Sequence, residues 1–507
     1  MILAGICLSA LVLPLSFTGG AVATPAIGRA LGGSPTSLTW VTNAFMLTFG
    51  SLLMAAGALA DVYGRKRLFS IGMVMFTLLS VAQALAPSTF WLDIFRGIQG
   101  VAGAAALASG TAALAQEFEG DARTRAFSLL GTTFGIGLAF GPLVAGLLID
   151  LLSWRAIFGF TAIIGAVALM FGVTRMRETR DPGAAGLDWP GTITFSGTLA
   201  LFTFGIIQAP ESGWDSPLVI TLLAASALLA TLFVIIEMHV QRPMLDLTLF
   251  RYPRFVGVQM LPVGTCFCYI VLIIMLPLRF IGAEGMSELD AGWLMVALSA
   301  PMLVVPMAAA VMTRWMSPGM LSGIGFLIAA AGLHWLSMYH LGDPRSALVL
   351  PMLVIGAGAG MPWGLMDGLS VSVVPKERAG MAAGIFSTAR VAGEGIALAI
   401  VTAILASLIH GNLLISLFDV MKVPQDVLAS AAQHITTGGM AHAIALLPGV
   451  DAKLLSLSYT AAFRNLLHLL TIVTLAAAVV TFGLLTRTGQ GAGNSGQSES
   501  AVAEPQA

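Results

Sequence analysis

Fourteen apolar windows divide this chain, each long enough to cross the roughly 30 Å hydrocarbon core of a bilayer as a helix. They lie near residues 2–24, 38–60, 68–86, 90–115, 125–150, 155–174, 190–208, 217–237, 256–280, 291–313, 319–340, 347–374, 384–410 and 465–486. Backbone groups in hydrocarbon have no water to bond, so a chain made of such windows must fold as a bundle of transmembrane helices. Composition agrees. Of 507 residues, 57% are hydrophobic and only 10% charged, too few charges to cover soluble domains. The 57 glycines suit close helix contact in lipid. The predicted class is an all-α membrane protein.

The windows group as six, two and six. Residues 1–174 form a first six-helix bundle, 175–240 carry two inserted helices, and 241–487 form a second six-helix bundle. A long loop at 411–464 interrupts the second bundle, and the polar stretch 488–507 reads as a disordered tail. An even span count puts both termini on one side. Fifteen basic residues, Arg65, Lys66 and Arg67 among them, fall on that side against seven on the other, so both termini are predicted to be cytoplasmic. The 411–464 loop is rich in Leu, Ile, Val and Ala, while Pro424, Gly438-Gly439 and Pro448-Gly449 divide it into short helices. A cap over the outer mouth and a plain connector are equally open readings.

Other classes are disfavoured. The balance of 24 basic and 25 acidic residues gives no field that would attract nucleic acid. Cys7, Cys266 and Cys268 all lie in apolar runs, which supports neither a disulfide framework nor a zinc site. No nucleotide-binding loop, paired metal-ligand histidines or nucleophile elbow appears, so neither an enzyme nor a cofactor is expected. The first window imitates a signal peptide at Ala21-Val22-Ala23, but no basic residue precedes it, and it reads as a transmembrane helix.

Three motifs occur in the first bundle. At the end of the second window and in the loop after it, Gly57, Asp61 and Gly64 precede the cluster Arg65-Lys66-Arg67. In the fourth, Leu92-x-x-x-Arg96-x-x-Gln99-Gly100 sets a guanidinium at membrane depth, where it needs a cavity or an acid partner. Snorkelling to the interface beside Asp93 is the plain alternative. In the fifth, Gly137-x-x-x-Gly141-Pro142-x-x-Ala145-Gly146 offers a groove for close helix contact and a proline bend.

Together these resemble the signatures of the major facilitator superfamily, and with fourteen spans the whole chain resembles its fourteen-helix drug:proton antiporter subfamily. Pro243-Met244-Leu245-Asp246-Leu247-x-x-Phe250-Arg251 and the run from Arg378 to Gly384 are also similar to that subfamily. The resemblance implies the major facilitator fold, alternating access between two bundles, and a monomer. It implies that the first motif latches one bundle to the other, with Asp61 facing a helix amino terminus of the second half. It implies proton transfer at Arg96 and an antiporter role for the helix 5 motif, although Ala145 stands where a glycine is preferred.

The subfamily's helix 1 acid, nine residues before Pro25, is replaced by Ser16. A proton must ride on a titratable group, which turns attention to Asp367 and Glu394. Asp367 lies roughly 10 Å from the inner end of helix 12, where by analogy it shares an aqueous pocket with Arg96. Glu394 lies roughly 15 Å deep, one turn after Arg390, and either pairs with it or couples protons. A buried carboxyl has its pKa raised by desolvation, which suits proton exchange against a cation. Trp363, Phe267, Tyr269 and Gln99 are candidate substrate contacts. The expected function is proton-driven export of hydrophobic or amphipathic drug-like compounds through a bacterial-type plasma membrane. A narrow carrier of one metabolite or natural product, and a non-transporting sensor, are the alternatives.

Overall fold

In a computed structural model, which describes residues 2–118, 120–180, 188–240, 245, 247–340, 343–373, 379–417 and 423–486, the fourteen windows become fourteen helices long and apolar enough to span a membrane. The first six are α1 (Ile2–Leu31), α2 (Pro35–Tyr63), α3 (Arg65–Ala84), α4 (Thr89–Glu117), α5 (Gly120–Leu151) and α6 (Trp154–Arg175). They pack chiefly as α2 on α4, α1 on α5 and α6, and α3 on α4 and α6. Then follow α7 (Trp189–Ser212) and α8 (Pro217–His239), which pack on each other. The second bundle holds α9 (Pro253–Ala283), α10 (Glu288–Met312), α11 (Pro318–Ser337), α12 (Ser346–Ser372) and α13 (Ala379–Leu417). Two short helices, α14 (Gln425–Thr436) and α15 (Met440–Leu446), precede the last span, α16 (Ala452–Leu485). The face where α1 begins and α16 ends is the basic face, and the one holding α14 and α15 is the cap face.

The seven-residue loop expected after α2 shrinks to one residue. Gly64, at φ 113°, reverses the chain between two helices in a conformation that side chains rarely adopt. Asp61 thus ends α2 and Arg65 begins α3. The cap-face loop is also shorter than 411–464, because α13 runs on to Leu417 and α16 starts at Ala452. Lys453 and Arg464 had kept that first stretch of α16 out of an apolar window.

The two bundles meet along α5–α10 and α2–α13. At the second seam a Cβ on Gly50 would stand 2.7 Å from the Ala392 backbone, so glycine permits the approach. The inserted α7 lies over this seam, its Phe204 edge-on to Trp40 at 5.5 Å and its Ser196 hydroxyl donating to the Ser51 carbonyl at 3.1 Å. In α9, two π-helical turns, Cys266–Ile270 and Arg279–Ala283, each follow a proline, Pro262 or Pro277, which removes a helical hydrogen bond.

Candidate functional site

Among the described residues, Arg96 of the first bundle and Arg390 of the second lie well inside their helices. Arg96 on α4 is 0% exposed. Its Nε donates to the Val41 carbonyl at 2.7 Å, and its Nη1 donates to the Ser16 hydroxyl and to Gln99 Oε1, both at 2.9 Å. Gln99 Nε2 donates in turn to the Ser80 hydroxyl at 2.8 Å, and the Phe45 ring lies 4.6 Å from the guanidinium. Gly20 leaves room, since a Cβ there would sit 3.1 Å from Nη2. Arg96 therefore faces inward and does not snorkel. Every one of these partners is uncharged, and Ser16, in the place of the expected acid, supplies a hydroxyl. Gln99 is buried and engaged at both ends of its amide, so it serves Arg96 in this conformation, not a substrate.

Arg390 on α13 is held differently. Its Nη1 meets Asp367 Oδ1 of α12 at 3.2 Å, with the arginine side chain 13% and the aspartate 55% exposed. Three rings surround the guanidinium: Phe134 of α5 and Trp363 of α12 at 5.8 Å, and Phe386 of α13 at 5.7 Å. Phe134 belongs to the first bundle and the other two to the second. Glu394, one turn after Arg390, is 3% exposed, and its Oε1 has no hydrogen-bond partner.

These placements correct two expectations. Arg390 pairs with Asp367 across the α12–α13 contact, not with Glu394. Helical side chains lean toward the amino terminus, which carries Arg390 away from a residue four positions later. Asp367 and Arg96 also belong to separate networks, one per bundle, and share no contact. Trp363 does stand at the ion pair, whereas Tyr269 is sealed in the first π turn of α9 with its hydroxyl unpartnered, and Phe267 packs half-buried on the core.

The basic turn after α2 also departs from expectation. Asp61 accepts from Arg65 Nε and Nη2, at 3.0 and 2.7 Å, instead of facing a helix of the second half. The turn is tied instead to the stretch after α6. Arg65 N–H donates to the Thr179 carbonyl at 3.0 Å, Lys66 N–H donates to Glu178 Oε1 at 3.2 Å, and Arg67 lies 3.8 Å from Glu178 Oε2. Gly57 touches nothing that a Cβ would meet. Sequence reasoning missed Glu178, whose only signal was an acid within a basic run. The stretch Arg378–Gly384 and the motif start Pro243-Met244 fall outside the described residues or side chains.

The three glycines of the helix 5 motif, Gly137, Gly141 and Gly146, sit at close approaches. A Cβ on Gly137 would meet Pro14 Cγ at 2.7 Å and one on Gly141 would meet Thr18 Cβ at 3.0 Å, both on α1. One on Gly146 would meet the Glu288 carbonyl carbon at 2.9 Å, on α10 of the other bundle. The Pro142 carbonyl faces Gly292 there. Arg29 at the end of α1 pairs with Glu288, which closes the cap face between the bundles. Gly438, between α14 and α15, lies against Gly282 of α9 and would put a Cβ 3.1 Å from Pro25 of α1, so the loop touches both bundles. A stacked histidine pair also lies here, His434 and His442, with centroids 5.3 Å apart.

Comparison with known proteins fits this geometry. Residues 6–398 match the profile of the Major Facilitator Superfamily. Curated relatives include Multidrug resistance protein Stp of Mycobacterium tuberculosis, 31% identical over 77% of this chain and 73% of that protein. Puromycin resistance protein pur8 of Streptomyces alboniger is 32% identical over 76% and 77%, and Cephamycin export protein CmcT of Amycolatopsis lactamdurans 32% identical over 77% and 82%. Among solved structures, a bacterial homolog of the human lysosomal transporter Spinster, inward-facing and occupied, aligns with a TM-score of 0.64 over 96% of this chain and 97% of that one, at 16% identity. This chain belongs to the Major Facilitator Superfamily, as a fourteen-span membrane transporter whose relatives are named for multidrug resistance and antibiotic export.

Proposed function

We propose that this chain exports lipophilic, cationic or amphipathic compounds across a bacterial plasma membrane in exchange for protons, as a monomer with its basic face in the cytoplasm. The observation that carries the reading is the box around Arg390. A carboxylate and three rings are what an organic cation needs, and here the protein's own guanidinium occupies them. A substrate cation competes with Arg390 for Asp367 and the rings. One ring comes from the first bundle, so rocking of the bundles dismantles the box and releases the cargo toward the cap face.

Asp367, half-exposed, is the acid where substrate and proton exchange, and Glu394 is a second, buried acid one turn from Arg390; acids at such depth mark ion pathways. The basic turn with Asp61 and Arg65 to Arg67 works as a latch through Glu178, and the glycines of α5 let the cap face close. Relatives named for a single antibiotic, puromycin or cephamycin, favour a second reading, one natural product instead of many drugs.

Everted vesicles with an acid interior, followed with a pH-sensitive dye, test both. A panel of lipophilic cations should dissipate the gradient in wild type and fail to do so in Asp367→Asn, with Glu394→Gln strongly impaired. Response to one compound class alone selects the narrow reading. Unchanged proton movement in Asp367→Asn removes that residue from the exchange.

A further inference from the structure

One acid of the first bundle lies beside its buried arginine. Asp93 lies four residues into α4, roughly 6 Å from its cap-face end, and one turn before Arg96. Its Oδ2 accepts from the Ser37 hydroxyl of α2 at 3.2 Å, a long bond for O–H···O, while its Oδ1 is sealed from solvent with no partner. One turn along the same helix, Arg96 Nη2 is likewise sealed with no partner. A buried donor and a buried acceptor of opposite charge, three residues apart on one helix, are each left one bond short. Positions three apart share a helix face, so a rotamer change of Asp93 brings the two together.

The charges around Asp93 leave Arg96 as the group acting on it. Over the facing stretches, α2 from Pro35 to Phe45 and α3 from Ser80 to Ala84 carry no charged residue. At the cap-face ends, Arg29 of α1 is engaged with Glu288, Arg155 of α6 donates to the Ala86 carbonyl over Trp154, and Asp150 of α5 is exposed. Ser16 meanwhile gives Arg96 a hydrogen bond without a countercharge.

We propose that Asp93 is a proton-exchanging acid of the first bundle, the working replacement for the absent acid of α1. As a carboxylic acid it stays against Ser37. On losing its proton to water from the cap face, the carboxylate turns and accepts from Arg96 Nη2, so one Ser37 bond is exchanged for a charge-assisted one. Taking a proton back frees Arg96 to its neutral partners. This rests on the proton-coupled reading above, yet its test does not need transport.

Infrared difference spectra, acid minus alkaline, are recorded on the purified chain in lipid nanodiscs. Wild type should show the C=O band of a protonated carboxyl that disappears in Asp93→Asn and shifts in frequency in Asp93→Glu. Bands unchanged in both variants overturn the proposal. Should Asp93→Asn fail to fold, the shift in Asp93→Glu decides alone. In vesicles, Asp93→Glu retains drug-driven proton movement that Asp93→Asn loses at least tenfold; equal activity of the two also overturns it. A carboxyl band at Asp93 in a protein that moves no protons with any compound would sink the exporter reading and leave Asp93 as a titrating site.

Discussion

The two bundles compensate a deep arginine, Arg96 in the first and Arg390 in the second, in opposite ways. Arg96 gives its hydrogen bonds to a backbone carbonyl, a hydroxyl and an amide, all sealed from water. Arg390 has a carboxylate, half-exposed, and three rings. Neutral partners fix a guanidinium by geometry and cannot be titrated away, whereas a carboxylate releases it when protonated or captured by another cation. The first bundle thus holds its arginine as a framework, and the second holds it as an exchangeable occupant. A third arginine supplies a reference. Arg279, at the cap-face end of α9, is buried with Glu284 at 2.8 Å between Tyr339 and Phe463.

The largest expected effect is at that reference pair. Glu284→Gln leaves a buried guanidinium uncompensated and should lower stability by about 3–5 kcal/mol, read as thermal unfolding in detergent. Burial pushes the Glu284 carboxyl above its ordinary range even with Arg279 beside it, so desolvation outweighs attraction. The joint replacement Arg279→Met with Glu284→Leu should therefore recover most of the loss. If the joint variant is as unstable as the single one, buried pairs here are held by more than charge, and the contrast between the two bundle arginines loses its reference.

Next comes the contrast itself. Lysine cannot reproduce the fork that reaches Val41, Ser16 and Gln99, so Arg96→Lys strands buried acceptors at roughly 1–3 kcal/mol each and should unfold about 2–3 kcal/mol more easily. Arg390→Lys keeps a point charge beside a half-exposed carboxylate and should cost under about 1 kcal/mol. Equal losses would erase the distinction between framework and exchangeable arginine.

The closure of the cap face is a smaller term. Gly146→Val places methyl groups against the Glu288 backbone, an overpacking of about 1–3 kcal/mol that only the closed arrangement suffers. Cysteines at positions 29 and 288 should then cross-link at least several-fold more slowly. Unchanged cross-linking would mean that α5 and α10 separate little during the cycle.

What was legible in the sequence was what the bilayer or the helix period dictates locally. Span count follows from hydrocarbon thickness, and the close approaches at Gly137, Gly141 and Gly146 follow from spacing on one helix. Partners chosen across helices were not legible. Nothing near Arg390 in the chain says that it meets Asp367 and not Glu394, because the choice depends on how α12 lies beside α13. The same holds for Glu178 under the basic turn and for Ser37 over Asp93. The start of α16 was hidden because its first half carries Lys453 and Arg464, which an exposed side of the helix tolerates and a hydropathy window does not.

The smallest effect concerns the cap. His434 is pushed below the ordinary histidine range by burial and then by the charge of His442, stacked on it. A histidine whose folded pKa is depressed binds its proton more readily in the undocked state, so the contribution to docking is full above the ordinary value near 6.5 and is lost as pH falls toward the depressed one. The cap helices α14 and α15 should thus loosen as the medium turns acidic. Hydrogen exchange over residues 425–446 should speed up several-fold between neutral and acid buffer after correction for intrinsic rates, and His442→Ala should shrink the change. Since protons enter from the cap face in the proposed cycle, such loosening would ease the opening of that face when the exterior is acidic. Exchange that is independent of pH, or identical in His442→Ala, would make the cap a fixed lid, and would leave the exchangeable charges of this transporter confined to its interior.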